Sequence, residues 1–328
     1  MPSDPNLIAD NCFYMEAVTG DGGVHNSSGV WWLSPDIQLV GPTSGPDKAD
    51  PGVVNTIGVR WHQKENCTLP PDSNGLSSIQ LWVGNPSLAM SPNNPASTRL
   101  IGSLEPALPG PPGNTLLHFK WTPPTGVPST DPESPGHKCL IARTYAFPLK
   151  PSTDNFYAPD DQHVAQHNIC IVPCGGPGAA TRPGPCELDV ATLNVNAERA
   201  EAVTLRAVAD TNPDEFVRRV VLERLRGTPG FKRIAPAPPQ GFEMRLPDFP
   251  NAKVSDQTRS GCLGRLMARH HRPTYEAHVG LEAGQFTNFA FHADMSGASF
   301  GDAHIFHLTQ VGPDGRDQGG LTVVMVAV

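Results

Sequence analysis

From Gly29 to Val172 the sequence is cut again and again by proline and glycine, and what survives between the cuts is short, β-branched and aromatic. The runs are "GVWWLS" (Gly29–Ser34), Asp36–Val40, Val53–Gln63, Ser77–Gly84, Thr115–Pro123, His137–Phe147 and Val164–Val172. Proline fixes φ and withholds an N–H, so it breaks helices and is kept out of central strands. Segments of this size between such breaks read as strands and leave no room for a helical period. Within Val53–Gln63, Val54, Thr56, Gly58 and Arg60 alternate with Asn55, Ile57, Val59 and Trp61, the period of two that a strand requires. Composition agrees: 36 prolines and 32 glycines in 328 residues fit a loop-rich β protein or a disordered one, and 38% hydrophobic residues gathered into these runs select the folded one.

The segment "PCGGPGAATRPGPCE" (Pro173–Glu187) is almost all Gly, Pro and small residues and reads as a domain boundary. The expected organisation is a β-sandwich over residues 1–174, a linker over 175–187 and a second sandwich over 188–328. Cys174 and Cys186 bracket the linker, and in an oxidising compartment they could close it as a disulfide contributing about 3 kcal/mol. The second half opens with two more strand candidates, Leu188–Ala197 and Ala200–Val208. A helix is then expected over residues 213–226: Asn212 as cap, Pro213 in the first turn, Glu215 completing a capping box, and Gly227 just past the end. Phe216, Val220, Val221 and Leu225 would form its apolar face. Ser260–His271 reads as a shorter helix. The chain returns to strands at Thr274–Leu281, Phe286–Met295, Asp302–Val311 and Gly319–Val328, the last two joined by a turn-rich loop as a hairpin. Fold class is therefore all-β: two tandem β-sandwiches, the second carrying a helical insertion.

Three stretches in order, "WWLSPDI", "GHKCLIAR" and "DDQHVAQHNICIV", resemble strands of bacterial Ig-like β-sandwich modules of the CARDB type, a cell-adhesion-related class. Gly136, His137, Cys139, Leu140, Ala142 and Arg143 fit the G-H-x-C-L-x-A-R strand of those modules. Ala165, Gln166 and Asn168 fit the strand that follows it, while His163 and His167 depart from it. "GDAHIFHLTQVGPDGRDQGGLTVVMV" is similar to the closing hairpin of a second Ig-like sandwich found beside such modules. The resemblance covers residues 5–172 and 280–328. It implies binding, adhesion or assembly rather than catalysis, and it makes Cys139 and Cys170 neighbours that could pair. Ig-like sandwiches serve many roles, so it names no partner.

Chemistry-bearing residues are weighed against that reading. Asp160–Cys174 gathers two carboxylates, two histidines and two cysteines. On a strand His163 and His167 lie about 13 Å apart, beyond the reach of one ion. "GASFG" (Gly297–Gly301) matches the nucleophile-elbow pattern around Ser299, but that motif needs a strand before it and a helix after it, and here strands stand on both sides. His304 and His307 are three apart, so they face opposite sides of one strand and do not converge with His292. His270, His271 and His278 lie upstream of these, with no ligand spacing that ties them in. No metal, no cofactor and no catalytic residue are expected. A hydrolase using Ser299 or a histidine–metal centre is the distant alternative.

Net charge is −8, with residues 1–174 at 8 basic against 15 acidic, which disfavours nucleic acid as partner. No run of about 18 apolar residues is present to cross a membrane. The N-terminus lacks the basic and apolar regions of a Sec signal, so a cytoplasmic location or a non-Sec export route is expected. Asn26 and Asn66 match the glycosylation pattern by chance on that view. The five tryptophans, Trp31, Trp32, Trp61, Trp82 and Trp121, all lie in the first half and make a carbohydrate-binding module the closer alternative. The leading expectation is a structural or interaction protein that binds a protein partner or assembles with copies of itself. Its terminal strand is apolar on both faces, so Val324, Val326 and Val328 are the expected interface, with the helix as the other element able to cover them.

Overall fold

The computed structural model describes residues 5–25, 29–109, 116–152, 156–175, 183–257 and 272–328. Contacts within the chain form two compact units: Met1–Asn85 with Met90–Asn168, and Pro86–Ala89 with Ile169–Val328. The change of unit falls between Asn168 and Ile169, inside a strand. It does not fall in residues 175–187: of that segment 176–182 lie outside the described residues, and Pro185–Glu187 already belong to a strand. Backbone pairing is the reason, since the strand that contains Asn168 has different partners on its two halves.

The strands of the first unit are β1 (Phe13–Tyr14), β2 (Ile37–Gly41), β3 (Gly45–Pro46), β4 (Lys48–Ala49), β5 (Asn55–Val59), β6 (His62–Gln63), β7 (Leu76–Gly84), β8 (Thr98–Pro109), β9 (Leu117–Trp121), β10 (Gly136–His137), β11 (Cys139–Ala146) and the first half of β12 (Val164–Cys174). One sheet runs β3-β2-β5-β9. In the other, β11 pairs with β7 and β12, and β7 pairs with β8, all antiparallel. Small two-stranded pairs, β1 with β6 and β4 with β10, complete the unit. Ile37, Leu39, Ile57 and Val59 from the first sheet pack against Ile79, Leu81, Val83, Leu140 and Ala142 from the second. The period-two alternation of these strands puts every second side chain into that layer.

The second unit takes Ile169–Cys174 of β12, then β13 (Pro185–Leu193), β14 (Glu201–Asp210), α1 (Glu215–Leu225), β15 (Arg233–Ile234), β16 (Gly241–Arg245), β17 (Lys253–Asp256), β18 (Thr274–Leu281), β19 (Phe286–Asp294), β20 (Asp302–Val311) and β21 (Asp317–Ala327). A three-stranded sheet runs β13-β19-β16. A larger one runs β17-β18-β14-β20-β21, and the second half of β12 lies parallel to β21. Between the sheets Phe242, Phe291 and Phe306 form an edge-to-face cluster with ring centroids 5.0–6.1 Å apart.

Three local expectations change. The helix is capped by Asp214, whose carboxylate accepts the Val217 N–H at 2.8 Å, and not by Asn212. The helix starts at Glu215, and a cap must stand immediately before the first turn to reach its free N–H groups. Its buried residues are Val217, Val220, Val221 and Leu225, while Phe216 is half-exposed beneath the Arg219 guanidinium. Cys139 and Cys170 remain thiols: Cys139 pairs across the sheet with Asn168, two residues short of Cys170. The helix expected over 260–271 lies outside the described residues.

The interface assigned to Val324, Val326 and Val328 is also corrected. Val324 and Val326 are fully buried within the single chain, and only Val328 keeps partial exposure. Leu321, Val323, Met325 and Ala327 face the core between the two sheets. Thr322, Val324 and Val326 face the other way, beside His307, Ile305 and Ala303 of β20. The helix follows β14 and precedes β15, both of which pair with β20, so it is tethered at both ends to that sheet. Its buried stripe lies outside the inter-sheet core. The stripe is a further buried apolar surface of this unit, distinct from that core.

Candidate functional site

The first unit carries an open cleft of about 460 Å³. Buried Leu7, Asp10, Pro159, Asp161 and His163 line it, with half-buried His25, Lys64 and Gln162 and exposed Ile8, Asn11 and Val24. Four pieces of chain meet here: the segment before β1, the loop after Tyr14, the end of the β1–β6 pair, and the 3-10 turn Ala158–Asp160 before β12. The Cys12–Cys67 disulfide ties the first of these to the third, and the Lys64 N–H donates to the Cys12 carbonyl at 2.9 Å.

Asp10, His163 and Asp161 form a buried carboxylate–imidazole–carboxylate arrangement. His163 Nδ1 lies 2.7 Å from Asp161 Oδ1, and Nε2 lies 3.0 Å from the Asp10 carbonyl and 3.4 Å from Asp10 Oδ2. Asp10 is held in turn by the N–H groups of Cys12, Phe13 and Ala146. Burial alone would favour the neutral ring, but the two carboxylates win and raise His163 to about 9. Burial likewise opposes ionisation of Asp10 and Asp161, and their bonds to His163 hold both below the usual carboxylate range. Lys64 Nζ donates to Gln162 Oε1 at 2.7 Å, and Gln162 donates to the Phe13 carbonyl. His25 contacts the carbonyls of Ala158 and Met15 at 2.5 and 2.7 Å. These polar groups are occupied with one another, so they shape the cleft. Ile8 and Val24 offer apolar contact, at 71% and 75% exposure.

The residues singled out from sequence are dispersed. Asp160, Asp161 and His163 belong to the cleft, whereas His167 Nε2 lies 3.0 Å from Asp47 Oδ1 and its Nδ1 is 2.9 Å from the Ser34 carbonyl, so the two histidines have different neighbours. Ser299 is exposed in a turn between β19 and β20, strands on both sides, without the helix that a nucleophile elbow needs. His304 is buried and is lowered to about 4 by loss of solvent. His307 sits between Asp210 and Thr322 at 3.1 Å from each. His292 lies 3.8 Å from Glu243, and His278 bonds Thr204. His270 and His271 lie outside the described residues. Cys174 and Cys186 form a disulfide across a separation of 12 residues. All five tryptophans are buried, Trp82 and Trp121 being the most exposed at 6%, so the platform that motivated sugar binding lies in the core.

Sequence reasoning passed over Asp10, Asn11, His25 and Lys64, which sit in loops with no motif spacing. It also passed over Glu16, Asp36 and His62, the one group of three or more His, Cys, Asp or Glu among the described residues whose ligand atoms lie within 4.8 Å of one another. No helix among the described residues is long and apolar enough to cross a membrane. No family model matches the chain, and no curated protein matches it in sequence. Among solved structures, the collagen adhesin (CNA) from S. aureus aligns over 89% of this chain and 93% of that one, at 7% identity and a TM-score of 0.26, a likeness too slight to carry an argument about fold or function.

Proposed function

We propose that this chain is a non-catalytic interaction protein made of two Ig-like β-sandwich units, and that the first unit receives a protein partner at its cleft. The carrying observation is the cleft itself: buried polar residues locked in internal bonds, with exposed Ile8 and Val24 in the same lining. Exposed apolar residues beside preorganised polar groups favour contact with another surface over reaction chemistry. Strand order supports the Ig-like reading. In the first unit β2, β5 and β9 share one sheet while β7, β8, β11 and β12 share the other, the split of an Ig-like sandwich. Closure of the second unit by β12 lying parallel to β21 fits the same plan. Ser299 stands between two strands, a setting unlike the strand-to-helix turn that exposes a nucleophile. Two disulfides support an oxidising compartment.

The test is a photo-crosslinker placed at Ile8 in the producing cell, with and without Val24→Asp. The reading expects a discrete protein adduct from the wild-type cleft and its loss in the charged variant, with the melting temperature unchanged. Adducts that persist in a folded Val24→Asp protein would sink the cleft assignment. Turnover of an ester, peptide or glycoside substrate that is lost in Ser299→Ala would overturn the non-catalytic reading.

A further inference from the structure

Tyr14 and His62 are directly paired across β1 and β6, and their rings stack at 5.0 Å with 22° between planes. Glu16 lies two residues beyond Tyr14. Asp36, fully buried, lies immediately before β2. Three separate segments thus bring one imidazole and two carboxylates together, with one ligand atom of each within 4.8 Å of the others. His62 Nε2 is 3.0 Å from Asp36 Oδ1 and 2.9 Å from Oδ2. Asp36 Oδ2 also accepts the Glu16 N–H at 2.7 Å, which fixes the carboxylate, and the stacked Tyr14 ring fixes the imidazole plane. Glu16 and His62 are partly exposed, so the group has a route from solvent.

We infer that Glu16, Asp36 and His62 form a binding site for one divalent first-row transition-metal ion. The donor set is one nitrogen and two anionic oxygens, which suits zinc, manganese, cobalt or nickel and leaves the remaining positions to water. Ligands at right angles about an ion at about 2.1 Å are about 3.0 Å apart, and the His62–Asp36 separations match that edge. The two carboxylates face one imidazole, with the Arg60 guanidinium near enough to act on that ring. A dication would take the place of the proton on Nε2 and engage both carboxylates. The sequence gives no hint of this site, because its ligands are 20 and 26 residues apart and follow no ligand spacing.

The experiment titrates chelator-treated, dialysed full-length protein with Zn²⁺ by calorimetry and with Co²⁺ by visible absorption. One equivalent is expected for each ion, with affinity falling at least about tenfold in both Glu16→Gln and His62→Gln. The unmodified chain supplies the second readout: paramagnetic Co²⁺ shifts or broadens the His62 ring resonances first. Failure of Zn²⁺ and Co²⁺ to bind would overturn the proposal. So would an equivalent that binds unchanged in both folded variants, or one that perturbs other histidines and spares His62. These outcomes leave the cleft reading untouched, since neither Glu16 nor Asp36 nor His62 lines the cleft.

Discussion

Burial drives His163 and His304 toward the neutral ring, and their surroundings decide whether it succeeds. Asp10 and Asp161 hold the proton on His163, raising it from 6.5 to about 9. A raised base stabilises the fold fully below its unfolded value, and the contribution is lost as pH rises through the folded one. The first unit should therefore weaken between about pH 6.5 and 9, by on the order of 3 kcal/mol. All five tryptophans belong to that unit, so the urea midpoint by tryptophan fluorescence reads it directly. The midpoint should fall across that window in the wild type and less steeply in His163→Gln, where His62, opposed by burial but raised by Asp36, still contributes; that variant will be less stable throughout because two buried carboxylates lose their partner. His304 carries the opposite sign. Its depressed value means that the second unit loses stability as pH falls from 6.5 toward about 4. At this scale the sequence was half legible: His163 stood out among its acidic neighbours, but Asp10 is 153 residues away and only the fold reveals it as a partner.

The terminal strand shows what an element's own residues can and cannot say. Its two apolar faces were visible in "LTVVMVAV", and the need for a cover on each followed. Which neighbour provides the cover is not written in the strand itself; it depends on the chain's other elements, such as the segment between β14 and β15, both of which pair with β20. Since Val324 is buried within the chain, Val324→Lys places an unpaired charge in the interior. The expected outcome is loss of structure in the second unit, seen as rapid hydrogen exchange over residues 302–327. A folded variant with a lower native mass would restore the interface reading. The strands themselves were largely readable because proline and glycine mark their ends. The helix start was misplaced by two residues because Asn212 and Asp214 are equally good caps in composition, and only the backbone decides between them.

Over the whole molecule, covalent closure is distributed unevenly. Cys12–Cys67 closes 55 residues in the first unit and Cys174–Cys186 closes 12 in the second. Chain-entropy arguments give about 4 kcal/mol for the longer loop and about 3 for the shorter. Cys67→Ser should thus lower the urea midpoint of the tryptophan-bearing unit, and dithiothreitol should reproduce the shift in the wild type but add nothing to it in the variant. An unchanged midpoint in Cys67→Ser would show that the crosslink does not stabilise this unit. Composition could not locate the change of unit between Asn168 and Ile169: a Gly/Pro-rich segment signals weak packing, whereas that change depends on which strands the two halves of β12 meet.

That strand has a consequence for manufacture. A chain leaves the ribosome from its N-terminus, and Val164–Asn168 emerge when β11, their partner, already exists. Ile169–Cys174 emerge next, but the strand they pair with, Thr322–Ala327, has not yet been translated. For about as long as it takes to make the second unit, half of β12 is an open edge with unmet N–H and C=O groups. A nascent chain of this protein is therefore most exposed to sticking midway through its synthesis, and a chaperone that shelters extended apolar segments would find its substrate at "ICIVPC".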